Sequence, residues 1–237
     1  MSQIKKAAIL AAGEGSRLKT LCEFKPMIPI CGIPLVERVM ERLLSLGVEE
    51  IVVAFNSSEK KMDWNLLPSF KRPEIKVIFV DTPSSMHTLY EVLKVLKPNP
   101  DEHILASMVD TIVKEDDFNN YFKTLKSLQK NESCLLLTSF IDDEKPLTAK
   151  LTSQNIIESF NCPITHGTVV TSGMYGLSGA IFLHLENELA KGTHKMRNFL
   201  SSLLSTEQTL KGFVVEKTLD IDRPEDVLTA EDFLCRN

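Results

Sequence analysis

The chain has 237 residues, of which 43% are hydrophobic and 25% are charged, and its formal net charge is −5 at pH 7. This length and composition are typical of a globular protein with a large core. The acidic balance lacks the basic footprint of nucleic-acid binding, so we expect no nucleic-acid partner. Because no apolar run reaches the length of a transmembrane helix and the first residues lead directly into a strand, we expect neither a membrane span nor a signal peptide.

Cysteine usage indicates the redox environment. Five cysteines stand at positions 22, 31, 134, 162 and 235, without a C-x-x-C pair. An odd number without metal-ligand spacing favours free thiols over a disulfide framework or a sulfur-bound metal. We therefore predict free thiols and a cytoplasmic location.

The first predicted element is a buried strand over residues 7–10 that runs into a Gly-x-Gly turn. Gly13 and Gly15 can adopt positive φ and allow backbone N–H groups to approach a bulky anion closely. Arg17 and Lys25 then add two positive charges, a fork that binds phosphate oxygens bidentately and a point charge. We interpret this segment as a polyphosphate cradle in which Arg17 and Lys25 are the catalytic residues.

Two common phosphate-binding motifs do not fit the glycine turn. The Walker pattern Gly-x-x-x-x-Gly-Lys-Ser/Thr does not occur in the sequence, and Leu18 stands where a dinucleotide-binding fingerprint needs its third glycine. The alternative for an isolated Gly-x-Gly is an ordinary strand–helix turn with a surface arginine.

The glycine turn belongs to a longer segment that reads Leu-Ala-Ala-Gly-Glu-Gly-Ser-Arg-Leu and continues from Lys25 as Lys-Pro-Met-Ile-Pro-Ile-Cys-Gly-Ile-Pro-Leu-Val-Glu-Arg. Over roughly residues 4–47 the chain closely resembles the N-terminal signature of the sugar-1-phosphate nucleotidyltransferases, or NDP-sugar pyrophosphorylases. The resemblance implies that this segment holds a nucleoside triphosphate. The implied contacts are Leu10, Ala11, Ala12, Gly13, Glu14, Gly15, Ser16 and Arg17.

The next elements alternate between helices and strands. Apolar spacing predicts a helix over residues 34–46 that stops at Gly47, a strand over 51–55, a helix over 60–67 and a strand over 75–80. This β-loop-α-β-α-β order is typical of a parallel sheet covered by helices.

The turn after residue 80 leads into a helix that continues to Leu96. Ser84 or Ser85 can cap this helix, and helix N-termini bind anions. The resemblance implies that the turn packs on the nucleotide base, with Asp81, Ser84, Ser85 and Met86 as contacts, although serines replace the usual glycine of the family. A capped helix without a ligand is the alternative.

Asp81 stands about where relatives read uracil or thymine with a glutamine. A carboxylate accepts hydrogen bonds from the N–H groups of guanine or the amino group of cytosine, which favours GTP or CTP. The sequence leaves the identity of the nucleotide base undecided.

A strand predicted over residues 103–109 ends on Asp110. Open α/β sheets place ligand chemistry at the carboxyl ends of their strands. The resemblance implies that Asp110 binds Mg²⁺, while capping of the following turn is the alternative role.

The second half of the chain has shorter predicted elements. The predicted helices cover residues 118–128, 180–189, 195–204 and 224–234, and the predicted strands cover 134–140, 149–151, 156–160, 169–177 and 213–215. The run Val169–Leu177 resembles the family strand that lines the acceptor-sugar pocket, which implies acceptor contacts at Gly173 and Tyr175. A bulge or tight packing would equally explain Gly173. The letters Glu144-Lys145-Pro146 resemble a sugar-phosphate-contacting motif, so Lys145 is a further acceptor candidate, with a charged hairpin turn at 142–144 as the alternative.

The string from Asp220 to Asp226 resembles the family signature Asp-x-x-x-Pro-Glu-Asp, whose aspartate is the second metal ligand. If this piece is extended, Asp220 and Asp222 point to the same side. Both positions stay candidates for the metal, with Asp222 slightly favoured.

Together these features predict an α/β fold with a mostly parallel twisted sheet flanked by helices, Rossmann-like, and a small mixed β acceptor-side subregion. We expect one nucleotidyltransferase domain over residues 1–237, divided at about residue 130 into a nucleotide-binding half and an acceptor-side half.

The implied reaction is Mg²⁺-dependent nucleotidyl transfer from a nucleoside triphosphate to a sugar-1-phosphate. The alternatives are a cytidylyltransferase for a non-sugar alcohol phosphate such as phosphocholine and a nucleotide-binding relative without activity. Apolar helix faces are compatible with a homodimer.

Overall fold

The computed structural model describes residues 4–143 and 145–235, apart from the side chain at position 65. Glu144 of the Glu-Lys-Pro motif lies outside the described residues. The described elements are β1 (Lys6–Ala11), β2 (Pro29–Ile30), β3 (Ile33–Pro34), α1 (Leu35–Ser45), β4 (Glu50–Phe55), β5 (Ile75–Phe79), α2 (Ser85–Leu96), β6 (His103–Met108), β7 (Thr111–Ile112), α3 (Glu115–Leu125), β8 (Glu132–Thr138), β9 (Thr148–Leu151), β10 (Ile157–Phe160), β11 (Val169–Ser178), α4 (Ile181–Ala190), α5 (Met196–Ser202), β12 (Thr209–Val215), β13 (Leu219–Asp220) and α6 (Pro224–Cys235).

Nine of the described strands form one sheet. Its main path runs β10-β9-β11-β6-β1-β4-β5, and β8 joins it by pairing with β11 and β12. The four strands β6, β1, β4 and β5 are mutually parallel, whereas β11 is antiparallel to β6, β8 and β9. The predicted α/β fold with a mixed second half is confirmed, and the parallel part meets the antiparallel part between β6 and β11.

Both faces of the sheet are covered by helices, which explains the near-continuous apolar sequence of its central strands. In β1 the side chains of Ala7, Ile9 and Ala11 pack on the face that carries α1, α3 and α6. Ala8 and Leu10 point to the opposite face, against α2, α4 and α5. The carboxyl ends of the parallel strands remain uncovered by either helical layer, and the loops that follow them are available for a ligand.

The predicted helix over residues 60–67 is wrong. The chain forms three short 3-10 turns instead, Ser57–Lys61, Trp64–Leu66 and Pro68–Lys71. Pro68 disfavours helical geometry at the residue before it. Trp64 stacks on Phe55 of β4 with 4.0 Å between ring centroids, and this packing directs the segment onto the sheet.

The loop between β8 and β9 is not a hairpin turn. β8 pairs with β11 and β12, while β9 pairs with β10 and β11, so the charged residues 142 and 143 lie in a loop that connects separately paired strands. This loop borders the site described below.

The prediction that all cysteines are free is wrong for one pair. Cys31 and Cys235 form a disulfide, with their Cα atoms 6.6 Å apart, that joins the β2–β3 turn to the last residue of α6. Cys22, Cys134 and Cys162 are free thiols, as predicted. The pair is far apart in sequence, so no spacing pattern indicated it. Across the part of the chain that the structure describes, no helix has the length and apolar character to cross a membrane.

Candidate active site

A short two-stranded ribbon assembles the acidic part of the site. β13 pairs antiparallel with β7, which places Asp220 opposite Thr111. One residue further on, the Ile221 backbone N–H donates a hydrogen bond to the Asp110 carbonyl oxygen at 3.1 Å. The ribbon thereby brings Asp110, Asp220 and Asp222 together at the carboxyl end of β6, where open α/β sheets bind ligands.

Lys25 bridges two of these carboxylates. Its Nζ atom lies 2.5 Å from Asp110 Oδ2 and 2.9 Å from Asp222 Oδ1. Burial by itself would lower the pKa of Lys25, but the charges and hydrogen bonds of Asp110 and Asp222 raise that pKa above its ordinary value. Lys25 is therefore a permanent cation at the centre of the acidic group.

The glycine turn positions Lys25 by direct packing. Gly15 has φ +55°, and a Cβ atom at this position would lie 2.6 Å from Lys25 Cβ. Any larger residue would thus displace the lysine stem and strain the backbone. Gly13 differs, because a Cβ atom there would have no neighbour within 4 Å among the described residues. The packing of Lys25 requires a glycine at position 15, whereas the space around the backbone of Gly13 is open.

Arg17 is the second predicted cation of the cradle. It is the middle residue of the turn Ser16–Leu18 and is exposed to solvent. Within the described part of the chain its guanidinium forms no ion pair or hydrogen bond, so all of its donors remain available.

Asp220 is held by the residue opposite it on the ribbon. Thr111 Oγ1 donates a hydrogen bond to Asp220 Oδ1 at 3.0 Å. Although the cleft leaves Asp220 accessible to solvent, protein atoms surround its carboxylate on several sides. Desolvation, and then the neighbouring charges of Asp110 and Asp222, raise the pKa of Asp220 to about 7.

Asp226 fixes the loop that carries Asp222. One of its carboxylate oxygens accepts hydrogen bonds from the backbone N–H groups of Asp222, at 2.9 Å, and Arg223, at 2.7 Å. In the sequence Asp226 stands out only as the last residue of the family signature, and its role in positioning Asp222 was missed. An acidic residue four positions after a candidate ligand, at a helix start, was the available signal.

Three cavities meet at this acidic group. The loop cavity, about 340 Å³, follows the glycine turn and is lined by Leu10, Ala11, Gly13, Gly15, Ser16, Arg17 and Lys25. The β11 cavity, about 420 Å³, is lined by residues that include Thr171, Gly173, Tyr175, Lys195 and Arg197. A third cavity of about 340 Å³ includes Arg17, Phe140, Lys145 and Arg223. Asp222 lines all three cavities, and Asp110 lies on the wall between the first two.

The predicted acceptor residues divide between two of these cavities. Gly173 and Tyr175 line the β11 cavity, where burial, together with the charges of Asp220 and Asp110, raises the pKa of the Tyr175 phenol. Gly173 has φ +68° and packs directly against the Thr111 side chain. Lys145 lines the third cavity, and its carbonyl oxygen accepts a hydrogen bond from Arg197 Nη2 at 2.6 Å.

The residues predicted to contact the base lie away from the loop cavity. Ser84 and Ser85 line the β11 cavity, and the Ser84 hydroxyl pairs with His87 Nδ1 at 2.9 Å rather than capping α2. Met86 is fully buried in the core, so its side chain has no surface for a ligand. Asp81 Oδ1 accepts a hydrogen bond from the Ser57 backbone N–H at 3.0 Å, which ties the loop after β5 to the loop after β4.

The remaining predicted nucleotide contacts differ in exposure. Ala12 is buried beneath the glycine turn, whereas Glu14 is exposed on it. Neither is among the residues that line the loop cavity, so any contact from Ala12 would come from its backbone.

The donor set fits a magnesium ion that is completed by phosphates. In the ranges that the structure describes, no group of three or more His, Cys, Asp or Glu residues is arranged as a metal cage of its own. Asp110 and Asp222, however, already share one cation, the Lys25 ammonium. Mg²⁺ is usually bound by one or two carboxylates together with substrate phosphates rather than by an all-protein cage.

Comparison with known proteins is consistent with this geometry. The chain is 28% identical over 240 residues to the bifunctional protein GlmU of Methanocaldococcus jannaschii, a match that covers 96% of this chain and 54% of that protein. It is 27% identical over 240 residues to the bifunctional protein GlmU of Methanococcus vannielii, covering 98% of this chain and 55% of that protein. The chain therefore spans about half the length of the curated relatives it matches.

Solved structures show the same fold. The inositol-1-phosphate CTP transferase from T. maritima superposes with a TM-score of 0.77 at 17% identity, covering 98% of this chain and 97% of that one. The UDP-glucose pyrophosphorylase from Acinetobacter baumanii superposes with a TM-score of 0.73 at 18% identity, covering 97% and 92%. Residues 7–148 match the family described as the MobA-like NTP transferase domain, which includes the whole glycine turn and Asp110. The chain belongs to the MobA-like NTP transferase domain family, in agreement with the nucleotidyltransferase resemblance of its N-terminal segment.

Proposed function

We propose that this chain transfers a nucleotidyl group from a nucleoside triphosphate to a sugar-1-phosphate and releases pyrophosphate, with Mg²⁺ as its cofactor. The observation that carries the proposal is the bridge from Lys25 to Asp110 and Asp222, which lies where the loop cavity meets the β11 cavity. A phosphate-binding turn, a shared carboxylate pair and a second cavity are the three parts that such a transfer needs.

The loop cavity is the proposed site of the triphosphate. Exposed backbone at Gly13 and the unpaired guanidinium of Arg17 supply donors for phosphate oxygens. Arg17 and Lys25 would neutralise the β- and γ-phosphates and the departing pyrophosphate. Donors that are already in position act most strongly on the charge that develops during the transfer.

The β11 cavity is the proposed site of the acceptor. Lys195 and Arg197 line it and provide positive charge for the acceptor phosphate. The Tyr175 phenol lines the same cavity and can donate a hydrogen bond to a sugar hydroxyl. Gly173 has a positive φ, a conformation that favours glycine, so this position of β11 carries no side chain.

In the proposed reaction an oxygen of the acceptor phosphate attacks the α-phosphorus in line, and the bond from the α-phosphorus to the bridging oxygen breaks. That oxygen leaves with its electron pair as part of pyrophosphate. The attacking phosphate is anionic near neutral pH, so no side chain has to remove a proton. The work of the protein is positioning and neutralisation of charge.

Asp110 and Asp222 are the proposed ligands of Mg²⁺, with Asp220 beside them. The bound ion would polarise the α-phosphate and counter the negative charge of the reacting oxygens. Asp226 supports this arrangement because it fixes the backbone at Asp222.

Cytidylyl transfer to a non-sugar alcohol phosphate is the second candidate. It is supported by the fold shared with the inositol-1-phosphate CTP transferase, which extends over 98% of this chain. The two candidates use the same catalytic groups and differ only in base and acceptor.

The test is pyrophosphate release in the presence of MgCl₂ with each of four nucleoside triphosphates. Each is combined with a panel of sugar-1-phosphates, inositol-1-phosphate and phosphocholine. Release that needs one nucleotide and one sugar-1-phosphate supports the proposal, and release only with an alcohol phosphate selects the second candidate. Equal pyrophosphate release by wild type and Asp222→Asn would contradict both candidate functions. The absence of release with every combination in the panel would also contradict both. Asp116→Asn, an exposed acid in the first turn of α3, is the matched control and should retain full activity.

A further inference from the structure

Arg17 and Lys25, the two cations of the proposed triphosphate site, differ in their contacts. Arg17 is exposed and has no partner among the described residues, so it is ready for a phosphate. Lys25 is only 9% exposed and is already engaged, because its ammonium contacts Asp110 Oδ2 and Asp222 Oδ1 at once. A phosphate can therefore reach Arg17 without rearrangement, whereas Lys25 has already given two of its three ammonium donors to the carboxylates.

The engaged position of Lys25 is built into the fold. Gly15 lies directly over the lysine stem, and the Ser16–Leu18 turn closes with a hydrogen bond from the Leu18 N–H to the Gly15 carbonyl at 2.9 Å. On the other side, the β13–β7 ribbon and Asp226 hold Asp222 in place. The ammonium is thus confined between the glycine turn and the carboxylate pair.

The position of the ammonium conflicts with binding of a divalent cation. The carboxylates that contact it are the two that our proposed function assigns to Mg²⁺. Two cations that share these oxygens would lie at contact distance and repel each other, and the repulsion is least screened on the side of Lys25 and Asp110, whose side chains are only 9% and 15% exposed. A triphosphate in the loop cavity would offer the ammonium new oxygen partners at the moment when a divalent ion arrives.

We propose that Lys25 is an exchangeable counter-ion, which holds Asp110 and Asp222 together in the nucleotide-free protein and yields them to a divalent cation when a triphosphate binds. The inference deepens the proposed function and rests on it for the identity of the anion. Lys25 then has two successive roles, first as the partner of the carboxylates and afterwards as a phosphate ligand. Since binding couplings are reciprocal, the divalent cation and the nucleotide must each increase the affinity for the other, and Lys25 must carry that coupling.

The test is a titration of the nucleotide-free protein with MnCl₂, in which free Mn²⁺ is measured by electron paramagnetic resonance. We expect weak binding to wild type and binding that is at least about tenfold tighter to Lys25→Met, because one cation at contact distance has been removed. Lys19→Met is the matched control: it removes the same charge from an exposed position near the glycine turn and should bind Mn²⁺ like wild type. Lys25→Met/Asp222→Asn should lose the gain.

A second measurement covers the case in which Lys25→Met is too unstable to titrate. The carboxylates of that variant lack their counter-ion, so MnCl₂ should raise its thermal unfolding midpoint clearly more than that of wild type. Equal Mn²⁺ affinity in wild type and Lys25→Met, or an equal shift of the two midpoints, would overturn the inference. Neither measurement uses nucleotide or acceptor. If the Mn²⁺ measurements overturn this inference, the proposed function is unaffected. If no pyrophosphate is released in the assay, the proposed function is contradicted and the Mn²⁺ results are unchanged.

Discussion

The Ile221 backbone N–H donates a hydrogen bond to the Asp110 carbonyl oxygen at 3.1 Å. This bond extends the β13–β7 ribbon by one residue and fixes the C-terminal segment to the end of β6. Its consequence is that Asp222, which follows immediately, faces Asp110 closely enough for one ammonium to reach both side chains. Asp110 lies within the segment matched by the family, whereas Asp222 lies beyond it. The site is thus complete only when the C-terminal segment is in place.

Gly15 and Gly13 should respond differently to the same change. Gly15→Ala places a methyl group against the Lys25 stem at positive φ, so we expect a loss of about 1–3 kcal/mol in the free energy of unfolding. Gly13→Ala has open space around its new methyl group and should unfold within about 0.5 kcal/mol of wild type. Urea denaturation of both variants measures the difference. Equal stability of the two would show that Gly15 does not position Lys25 by packing.

Arg17→Ala should reduce turnover without changing the fold, because Arg17 is exposed and has no partner among the described residues. We expect a loss of about 2–4 kcal/mol of transition-state stabilisation, which corresponds to a decrease in kcat/KM of roughly 30- to 1000-fold. Steady-state pyrophosphate release checks this, with Lys19→Ala as the control for general charge. Turnover of Arg17→Ala within twofold of that control would remove Arg17 from the cradle.

Glu59 should make stability depend on pH. It is 3% exposed, and burial raises its pKa from 4.5 to about 7 despite a backbone hydrogen bond at Asn56 that lowers it. Because the folded state holds this proton more tightly than the unfolded state, the contribution to stability is present below about pH 4.5 and is lost as the pH rises through about 7. Glu59→Gln should therefore be more stable than wild type at pH 8 by on the order of 2–3 kcal/mol, and nearly equal at pH 4.5. Denaturant midpoints of the two proteins at both pH values provide the measurement, and parallel pH profiles would contradict it.

The Cys31–Cys235 disulfide should stabilise the fold. It closes a loop with a sequence separation of 204 residues, and a disulfide typically stabilises a protein by about 2–4 kcal/mol. Dithiothreitol should lower the unfolding midpoint of wild type by roughly 5–15 °C and leave Cys31→Ser unchanged. Calorimetry with and without the reductant tests this. An unchanged wild-type midpoint would mean that the cross-link does not contribute.

Much of the fold could be predicted because local sequence determines it. The continuous apolar run in β1 indicates a strand buried on both faces of the sheet, and both faces are covered. Gly15, Arg17 and Lys25 could be assigned to one site because they are close in sequence and chemically distinctive. The helix predicted over residues 60–67 was wrong, since the stacking of Trp64 on Phe55 is a tertiary contact that no local periodicity records.

The parts of the site that could not be predicted depend on contacts between distant segments. Lys25 could be recognised as a phosphate ligand from its motif, but its engagement with Asp110 and Asp222 follows from the pairing of β13 with β7. The Cys31–Cys235 pair has the same origin. Ser84 could be placed at a helix start, whereas its orientation toward the β11 cavity depends on how α2 packs on the sheet.

The most direct measurement of the central claim is pyrophosphate release by wild type and Asp110→Asn across a range of MgCl₂ concentrations, with folding checked by circular dichroism. The account predicts release by wild type that rises with MgCl₂ and saturates, and no measurable release by a folded Asp110→Asn at any concentration. The same dependence on MgCl₂ in both proteins would contradict the account, because Asp110 would then have no part in holding the cation.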